Sequence, residues 1–339
     1  MVEFRWLGVA GFELKWNGSI LLVDPFLTRP PAYKLLFGRT HPDGALLRQH
    51  IPHADHILIS HAHYDHLLDA AEIAGYSGGR VYGSGNTCRI AEVCGLAAAQ
   101  VAGVRAGEEL TLTPGTYPQP LPPGQGVNSP PCRGKLEGVR PFLPPIRGKL
   151  EGRHPSLPPI RGKLEGVRSS LPPIRGEPEG GKREPIFHVT VLAGEHTPVP
   201  VFGPGELQKR LVYPLRLRDF VMDEDFTFLI QVGGTRVLAW HHWRPGPAPR
   251  ADILVIGADI RLADLAELID QVQPRLLIPT HWDNFLRPLT KPLKPFFRPP
   301  CPGHPLPERY DPWKVKRYVA RVRPGVRVWV PNLMEKIEI

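Results

Sequence analysis

The sequence has few cysteines and no long apolar run. Its four cysteines, Cys88, Cys94, Cys132 and Cys301, show neither the paired spacing of a zinc knuckle nor the density of a disulfide-stabilised protein. No stretch of about eighteen apolar residues occurs, so the sequence predicts no segment that crosses a membrane. The N-terminal residues also lack the basic start, continuous apolar stretch and cleavage site of a signal peptide. We therefore expect a protein of the reducing cytoplasm.

Excess positive charge is concentrated in one segment of the chain. The 339 residues carry a net charge of +9, of which +6 falls between Gly115 and Pro185 and only +3 on the remaining 268 residues. The rest of the chain is therefore close to neutral, which disfavours a nucleic-acid-binding surface there. Hydrophobic residues make up 42% of the sequence, which is enough to build a sizeable core.

The same basic segment repeats itself with a period of fourteen residues. Copies begin at Pro130, Pro144, Pro158 and Pro172, and the first three contain RGKLEG. Proline and glycine account for 28 of the 71 residues from Gly115 to Pro185, a composition typical of chains that form no packed core. We predict that 115–185 is a disordered insertion. A basic tether for nucleic acid or a protein partner is the alternative.

The two flanks of the insertion, 1–114 and 186–339, read as the first and second halves of one domain. The first half contains a hairpin with a turn at Asn17, a buried strand DHILIS and a helix HLLDAAEIAG. The second half contains a hairpin with a turn at Gly233, the strands ADILVIGA and RLLIPTHW, and the helix LADLAELIDQV. Strands in both halves end in polar residues. The pattern predicts an α/β fold with two sheets inside and helices outside.

Three histidines and an aspartate directly follow the buried strand of the first half, in the motif HAHYDH. His61 and His63 alternate along an extended backbone, so both side chains point the same way and can share one ion, the first ion site. Asp65 and His66 lie at the start of the next helix and can hold a second ion nearby, the second ion site. Two ions about 3.5 to 4 Å apart can share a hydroxide. The alternative makes Asp65 a helix N-cap and the histidines surface residues.

The HxHxDH motif after a buried strand resembles that of the metallo-β-lactamase superfamily. The resemblance covers both flanks and implies a four-layer αββα sandwich. It implies that His196 completes the first ion site and that His281 completes the second. The opening stretch, WLGVAGFELKWNGSILLVDPFLT, is similar to the branch that contains ascorbate-6-phosphate lactonases and N-acylphosphatidylethanolamine phospholipase D.

The chain departs from the superfamily at one ligand. The resemblance implies an aspartate that bridges the two ions, at the end of the strand between His196 and His281. Here that strand ends in LAWHHW and offers no carboxylate. Counting along the strand favours His242 over His241 as the replacement ligand, and the alternative is that both are ordinary polar residues at a strand end. Asp283 is a further candidate, either as a ligand or as a partner of one.

Asp24 precedes a proline at the end of the opening hairpin, where the resembling branch has an Asp-Pro turn. A carboxylate beside ligating histidines commonly accepts the proton of the ring nitrogen that does not bind the metal, and so fixes the tautomer of the ligand. The alternative role is that of an ordinary turn aspartate. Both interpretations place Asp24 directly after a strand.

These residues predict a zinc-dependent hydrolase. The resemblance implies one or two Zn²⁺ ions, with Mn²⁺ or Fe as alternatives, and a zinc-bound hydroxide that attacks a small ester, lactone or phosphoester. Asp65 is the predicted catalytic residue, which orients the nucleophile and passes its proton to the leaving group. One alternative is a nuclease that binds RNA or DNA through 115–185, and another is a non-catalytic metal-binding sensor or interaction protein. A small molecule is the expected partner, and no sequence feature defines an oligomeric state.

Overall fold

Both flanks of the predicted insertion contribute strands and helices to the fold. The computed structural model describes residues 1–113, 186–196, 204–242, 246–258, 260–298 and 307–339. These residues belong to one unit that combines the two flanks. The predicted insertion, 115–185, lies outside the described residues. None of the helices in the described part is long and apolar enough to span a bilayer.

Strands and α-helices occur throughout the described residues. The strands are β1 (Glu3–Gly8), β2 (Gly11–Trp16), β3 (Ser19–Val23), β4 (His56–Leu58), β5 (Arg80–Gly83), β6 (Val101–Gly103), β7 (Glu109–Leu112), β8 (Phe187–Ala193), β9 (Phe226–Val232), β10 (Thr235–Trp240), β11 (Ile253–Gly257), β12 (Leu276–Thr280), β13 (Phe297–Arg298), β14 (Glu308–Arg309), β15 (Arg327–Val328) and β16 (Lys336–Glu338). The helices are α1 (Ala32–Phe37), α2 (Gly44–His50), α3 (Tyr64–Leu67), α4 (Ala70–Ser77), α5 (Gly85–Val93), α6 (Leu262–Val272) and α7 (Pro312–Val322).

Two seven-stranded sheets share a similar layout. The first has the order β16-β1-β2-β3-β4-β5-β6, and the second has the order β15-β12-β11-β10-β9-β8-β7. In each sheet antiparallel strands lead into a parallel set, which is β3 to β6 in the first and β10, β11, β12 and β15 in the second. Both predicted hairpins are present. Asn17 and Gly233 each begin a two-residue turn with positive φ, as tight hairpins with the twist of the strands require.

Three apolar layers hold the two sheets and their helices together. The layer between the sheets contains large side chains from both, including Phe12 and Phe228. Helices of the first half cover the outer face of the first sheet, and α6 and α7 pack on the second. In β11, Val255 faces the other sheet while Leu254 faces the helices, so a continuous apolar run is buried on both sides. This arrangement confirms the predicted αββα sandwich.

The predicted helix HLLDAAEIAG is interrupted in the structure. Helix α3 ends at Leu67 and α4 begins at Ala70. Between them Asp69 is fully buried, and its Oδ2 accepts hydrogen bonds from the backbone nitrogens of Leu27 at 2.6 Å and Thr28 at 2.8 Å. Burial raises the pKa of Asp69 to about 6. The prediction of one continuous helix was wrong because the contact with the loop after β3 is non-local and leaves no trace in the helical periodicity.

The predicted insertion joins the second sheet between the end of β7 and the start of β8. These strand ends lie away from the HAHYDH motif. Leu112 at the end of β7 pairs with Phe187 at the start of β8, and the nitrogen of Ile186 donates to the carbonyl of Leu112 at 2.9 Å. Strand β8 then runs seven residues towards His196, so its two ends lie about 20 Å apart. The chain therefore leaves and re-enters the sheet at adjacent positions far from the predicted ligands.

We predict that replacing residues 114–185 with Asn-Gly leaves the fold intact. The two strand ends are already paired, and a two-residue turn fits a hairpin of this register. Each halving of loop length lowers the entropic cost of closing the loop by about 0.6 kcal/mol, and going from 72 residues to two is about five halvings, so the free energy of unfolding should stay unchanged or rise by up to about 3 kcal/mol. Urea denaturation followed by circular dichroism measures it. Loss of a cooperative transition in the deletion variant would contradict the prediction.

Candidate metal centre

The predicted site residues follow the ends of strands at one shared edge of the two sheets. His61 and His63 come shortly after β4, and His196 comes shortly after β8. His242 and His281 follow the ends of β10 and β12. Strands β8, β10 and β12 run in the same direction because β9 is antiparallel to both β8 and β10, and β10, β11 and β12 are parallel. The topology therefore delivers residues that are distant in sequence to one place.

Seven side chains form three overlapping groups at this edge. In each group the candidate ligand atoms lie within 4.8 Å of one another. The groups are His61, His63 and His196; Asp65, His66 and His281; and His61, His66 and His242. The first two groups are the two ion sites inferred from the sequence. The third group contains His61 from the first group and His66 from the second. Its remaining member is His242, so His242 rather than His241 is among the candidate ligands.

The ring of His66 is held by Asp24. Nδ1 of His66 lies 2.9 Å from Oδ2 of Asp24, and both side chains are almost completely buried. Asp24 also accepts hydrogen bonds from the backbone nitrogen of Ser60 at 2.7 Å and from its hydroxyl at 2.6 Å. Burial opposes ionisation of Asp24, but His66 outweighs it and lowers the pKa of this carboxyl. Nδ1 of His66 is thereby engaged, which leaves Nε2 to face the other candidate ligands.

Asp225 holds His61 in a similar way. Its Oδ1 lies 3.2 Å from Nδ1 of His61, and the Ser60 hydroxyl lies 3.0 Å from the same nitrogen. Sequence reasoning missed both Asp225 and Ser60. Asp225 stands directly before β9, whose first residue bonds through its nitrogen to the carbonyl of Ser60. No sequence spacing links Asp225 to Ser60. They follow or precede strands of different sheets, and only the packing of the two sheets brings them together.

His241 is not a member of the ligand groups and lies beside the buried carboxylate of Asp24. Its Nε2 lies 3.3 Å from Oδ2 of Asp24, and its side chain is buried. Burial lowers the pKa of His241 to about 3, although Asp24 acts in the opposite direction. Nε2 of His241 forms no hydrogen bond among the described residues, so Asp24 acts on this neutral imidazole through its charge alone.

Asp283 is engaged with the fold and not with the candidate ligands. Its Oδ2 lies 2.6 Å from Nη2 of Arg29, and its Oδ1 accepts a hydrogen bond from the backbone nitrogen of Val9 at 2.8 Å. Both charged side chains are buried, with exposed fractions of 1% for Arg29 and 0% for Asp283. This pair fixes the loop after β12, which carries His281, to the loops after β1 and β3.

Backbone strain is concentrated at the same edge. Val9, Asp24 and His281 have φ values of 50°, 45° and 54°, in the left-handed region that residues other than glycine rarely occupy. Such conformations cost about 1–3 kcal/mol each and persist only where surrounding contacts impose them. The nitrogen of His281 donates to the carbonyl of Val9 at 2.8 Å. This contact fixes the backbone of His281 beside the other candidate ligands.

The donor set fits a divalent transition metal. Burial lowers the pKa of His61 well below its usual value and that of His63 to about 3, so both rings are neutral at pH 7 and offer lone pairs. Burial opposes ionisation of Asp65, but His66 and His281 outweigh it and keep its pKa low. Nε2 of His61 is buried and has no hydrogen-bond partner among the described residues. Imidazole nitrogens with one carboxylate suit Zn²⁺ or Fe better than Mg²⁺ or Ca²⁺.

Comparison with known proteins points to the same fold. Residues 20–117 match the family described as beta-lactamase superfamily domain, and this stretch contains HAHYDH. Igni18, a metallo hydrolase from the archaeon Ignicoccus hospitalis, superposes with a TM-score of 0.52 at 13% identity, over 99% of this chain and 97% of that chain. The fold is that of the metallo-β-lactamase superfamily. An isothiocyanate hydrolase from Delia radicum gut bacteria gives a TM-score of 0.51 at 10% identity, over 99% of both chains.

Curated relatives match only part of the chain. A UPF0173 metal-dependent hydrolase of Myxococcus xanthus is 33% identical over 106 residues, which are 31% of this chain and 33% of that protein. A UPF0173 metal-dependent hydrolase of Thermococcus onnurineus is 42% identical over 81 residues, which are 24% of this chain and 30% of that protein. The chain thus spans about a third of the length of the curated relatives it matches.

Proposed function

We propose that the protein is a metal-dependent hydrolase that acts on a small ester, lactone or phosphoester. The observation that carries this proposal is the set of overlapping ligand groups, six histidines and one aspartate, at a single edge of the sandwich. The metallo-β-lactamase fold supports it, as does the name metal-dependent hydrolase that the partial relatives bear. The lactone and phosphoester classes follow from the resemblance of the opening hairpin to the lactonase and phospholipase branch.

Two groups of side chains are the proposed ion ligands. The first ion site comprises His61, His63 and His196, and the second comprises Asp65, His66 and His281. A bound Zn²⁺, or Mn²⁺ or Fe in its place, polarises the scissile group and lowers the pKa of water towards 7. Asp24 and Asp225 keep the Nδ1 atoms of His66 and His61 engaged, so that each Nε2 would remain available to bind an ion.

Asp65 is the proposed acid–base residue. Its low pKa keeps the carboxylate ionised at neutral pH, so it can accept a proton from the attacking water. Oδ2 of Asp65 lies 3.5 Å from Nε2 of His281 and 3.8 Å from Nε2 of His66, which orients the carboxylate at the centre of the ligand groups. The same carboxylate then returns the proton to the leaving group.

Metal removal and one substitution test this proposal. We expect purified protein to hydrolyse p-nitrophenyl acetate or bis(p-nitrophenyl) phosphate, to lose this activity with a chelator, and to regain it with Zn²⁺. His63→Ala should abolish the activity because it removes a ligand of the first ion site. His188→Ala is the matched control, since it removes an exposed histidine near the start of β8, at the end of that strand away from the ligand groups. Activity that survives both chelation and His63→Ala would refute a metal-dependent reaction.

The two alternative functions give different results in the same experiment. A non-catalytic metal-binding protein would bind the ion without turnover of either substrate. A nuclease would cleave RNA or DNA, and its affinity would fall steeply with salt and depend on 115–185. The nuclease is the weaker alternative because the insertion joins the sheet at the end of β8 opposite to the ligand groups.

A further inference from the structure

His242 lies between the two proposed ion sites. Its ring centroid is 4.1 Å from that of His196 and 5.5 Å from that of His61, which are both first-site residues. It is 5.6 Å from that of His281 and 6.2 Å from that of His66, which are both second-site residues. His242 also forms a ligand group of its own with one residue of each site. The geometry therefore makes it a candidate ligand from both sides.

The net charge of the ligand groups depends on which residue occupies position 242. Among the described residues the three groups contain one carboxylate, Asp65, and the other six members are histidines. Ligating imidazoles are neutral, so within the three groups one divalent ion gives a formal charge of +1 and two give +3, and Asp24 and Asp225, which contact the rings of His66 and His61 from outside the groups, lower each value by two. Two dications a few ångströms apart repel each other strongly, and a carboxylate between them would offset part of that repulsion. An imidazole at position 242 supplies a donor atom but no negative charge.

We infer that His242 can ligate an ion at either position but not at both at once, because a neutral imidazole offers one lone pair, and that this residue limits the protein to one tightly held ion. This inference rests on the proposed function, because it assumes that the groups bind the metal used in hydrolysis. The second ion binds about tenfold more weakly than the first, or still more weakly, because no carboxylate at position 242 offsets the repulsion between the two dications. A carboxylate at position 242 removes this limit.

Metal titration of four proteins tests the inference without any measurement of activity. The proteins are the wild type, His242→Asp, His242→Ala and the control His188→Ala, each stripped with a chelator and checked by circular dichroism. Calorimetric titration with Zn²⁺ gives the stoichiometry and both dissociation constants, and elemental analysis after dialysis gives the retained metal. Titration with Co²⁺ adds the ligand-field absorption, which responds to a change of ligand at the ion.

The expected results differ among the variants. Wild type and His188→Ala should retain about one ion per chain, whereas His242→Asp should retain about two, with the second dissociation constant about tenfold lower than in the wild type. His242→Ala should keep the first ion with an altered Co²⁺ spectrum. Two equally tight ions in the wild type, or a His242→Asp variant that matches the wild type, would overturn the inference while the hydrolase proposal stands. Wild-type protein that binds no ion would instead refute the proposed function.

Discussion

Replacing Asp24 with asparagine should lower the metal affinity of the site about 10- to 100-fold, the effect typical of losing a carboxylate that supports a ligating histidine. Oδ2 of Asp24 faces two donors, namely the Ser60 hydroxyl and Nδ1 of His66, and its Oδ1 accepts from the backbone nitrogen of Ser60. An asparagine has one carbonyl oxygen, so its NH₂ group must face donors that the carboxylate satisfied. His66 can then relieve the conflict only by moving its proton to Nε2, which blocks that nitrogen as a ligand.

Asp55→Asn is the matched control for this prediction. Oδ2 of Asp55 accepts a backbone hydrogen bond from Ile20 at 2.7 Å and a hydroxyl hydrogen bond from Ser19 at 3.1 Å, and its Oδ1 lies 3.1 Å from Nε2 of His53. It therefore resembles Asp24 in its partners but stands directly before β4 rather than after β3. We expect Asp55→Asn to alter stability and to leave the metal dissociation constant unchanged. Calorimetric titration compares the two, and a folded Asp24→Asn variant with wild-type affinity would contradict the role of Asp24.

Removing one member of the buried Arg29–Asp283 pair should lower the free energy of unfolding by about 3–5 kcal/mol, because the other charge is left buried without its partner. Arg29→Met removes the guanidinium that lies 2.6 Å from Asp283 and keeps a side chain of similar length. Adding Asp283→Asn removes the stranded charge but keeps an acceptor for the nitrogen of Val9. The double variant should therefore be more stable than the Arg29→Met single variant. Urea unfolding with a chelator present measures the protein without any contribution from bound metal.

An exposed ion pair provides the comparison for this prediction. Arg261 and Asp264 are adjacent on one turn at the start of α6, and the side chain of Arg261 is 71% exposed. Arg261→Met should change the free energy of unfolding by less than about 1 kcal/mol, as is usual for ion pairs in contact with solvent. The prediction would be contradicted if Arg29→Met lowered the free energy of unfolding as little as Arg261→Met does. The buried pair would then contribute little to stability.

The layers of the fold could be predicted from local patterns, whereas several element boundaries could not. The turns at Asn17 and Gly233 and the apolar runs of β11 and β12 are encoded in short stretches, because turn geometry and burial act on neighbouring residues. The break between α3 and α4 is different. It accompanies the contact of Asp69 with the loop after β3, and no local pattern reports a contact between segments so far apart in sequence.

The residues of the candidate site also fall into two classes, those that the sequence predicts and those that only contacts between distant segments bring together. HAHYDH predicted a cluster on its own, since four potential ligands occupy six consecutive positions, and resemblance to the superfamily added His196 and His281. The structure brings all of them together and favours His242 over His241. Sequence reasoning could not find Asp225, because its role depends on β9 beginning beside Ser60. It considered Asp283 as a ligand, whereas the fold places that carboxylate against Arg29.

By itself the sequence determined the alternation of strands and helices, the two hairpins, and the histidine-rich segment that follows a buried strand. These features depend on interactions between residues that are close along the chain. Only the tertiary structure decided which histidine joins the candidate ligand groups, which carboxylates contact their rings, and that the chain leaves the second sheet for 115–185 at the strand ends away from those groups. Each of these depends on how the two sheets pack and on which strand ends meet, and that is a property of contacts between distant residues.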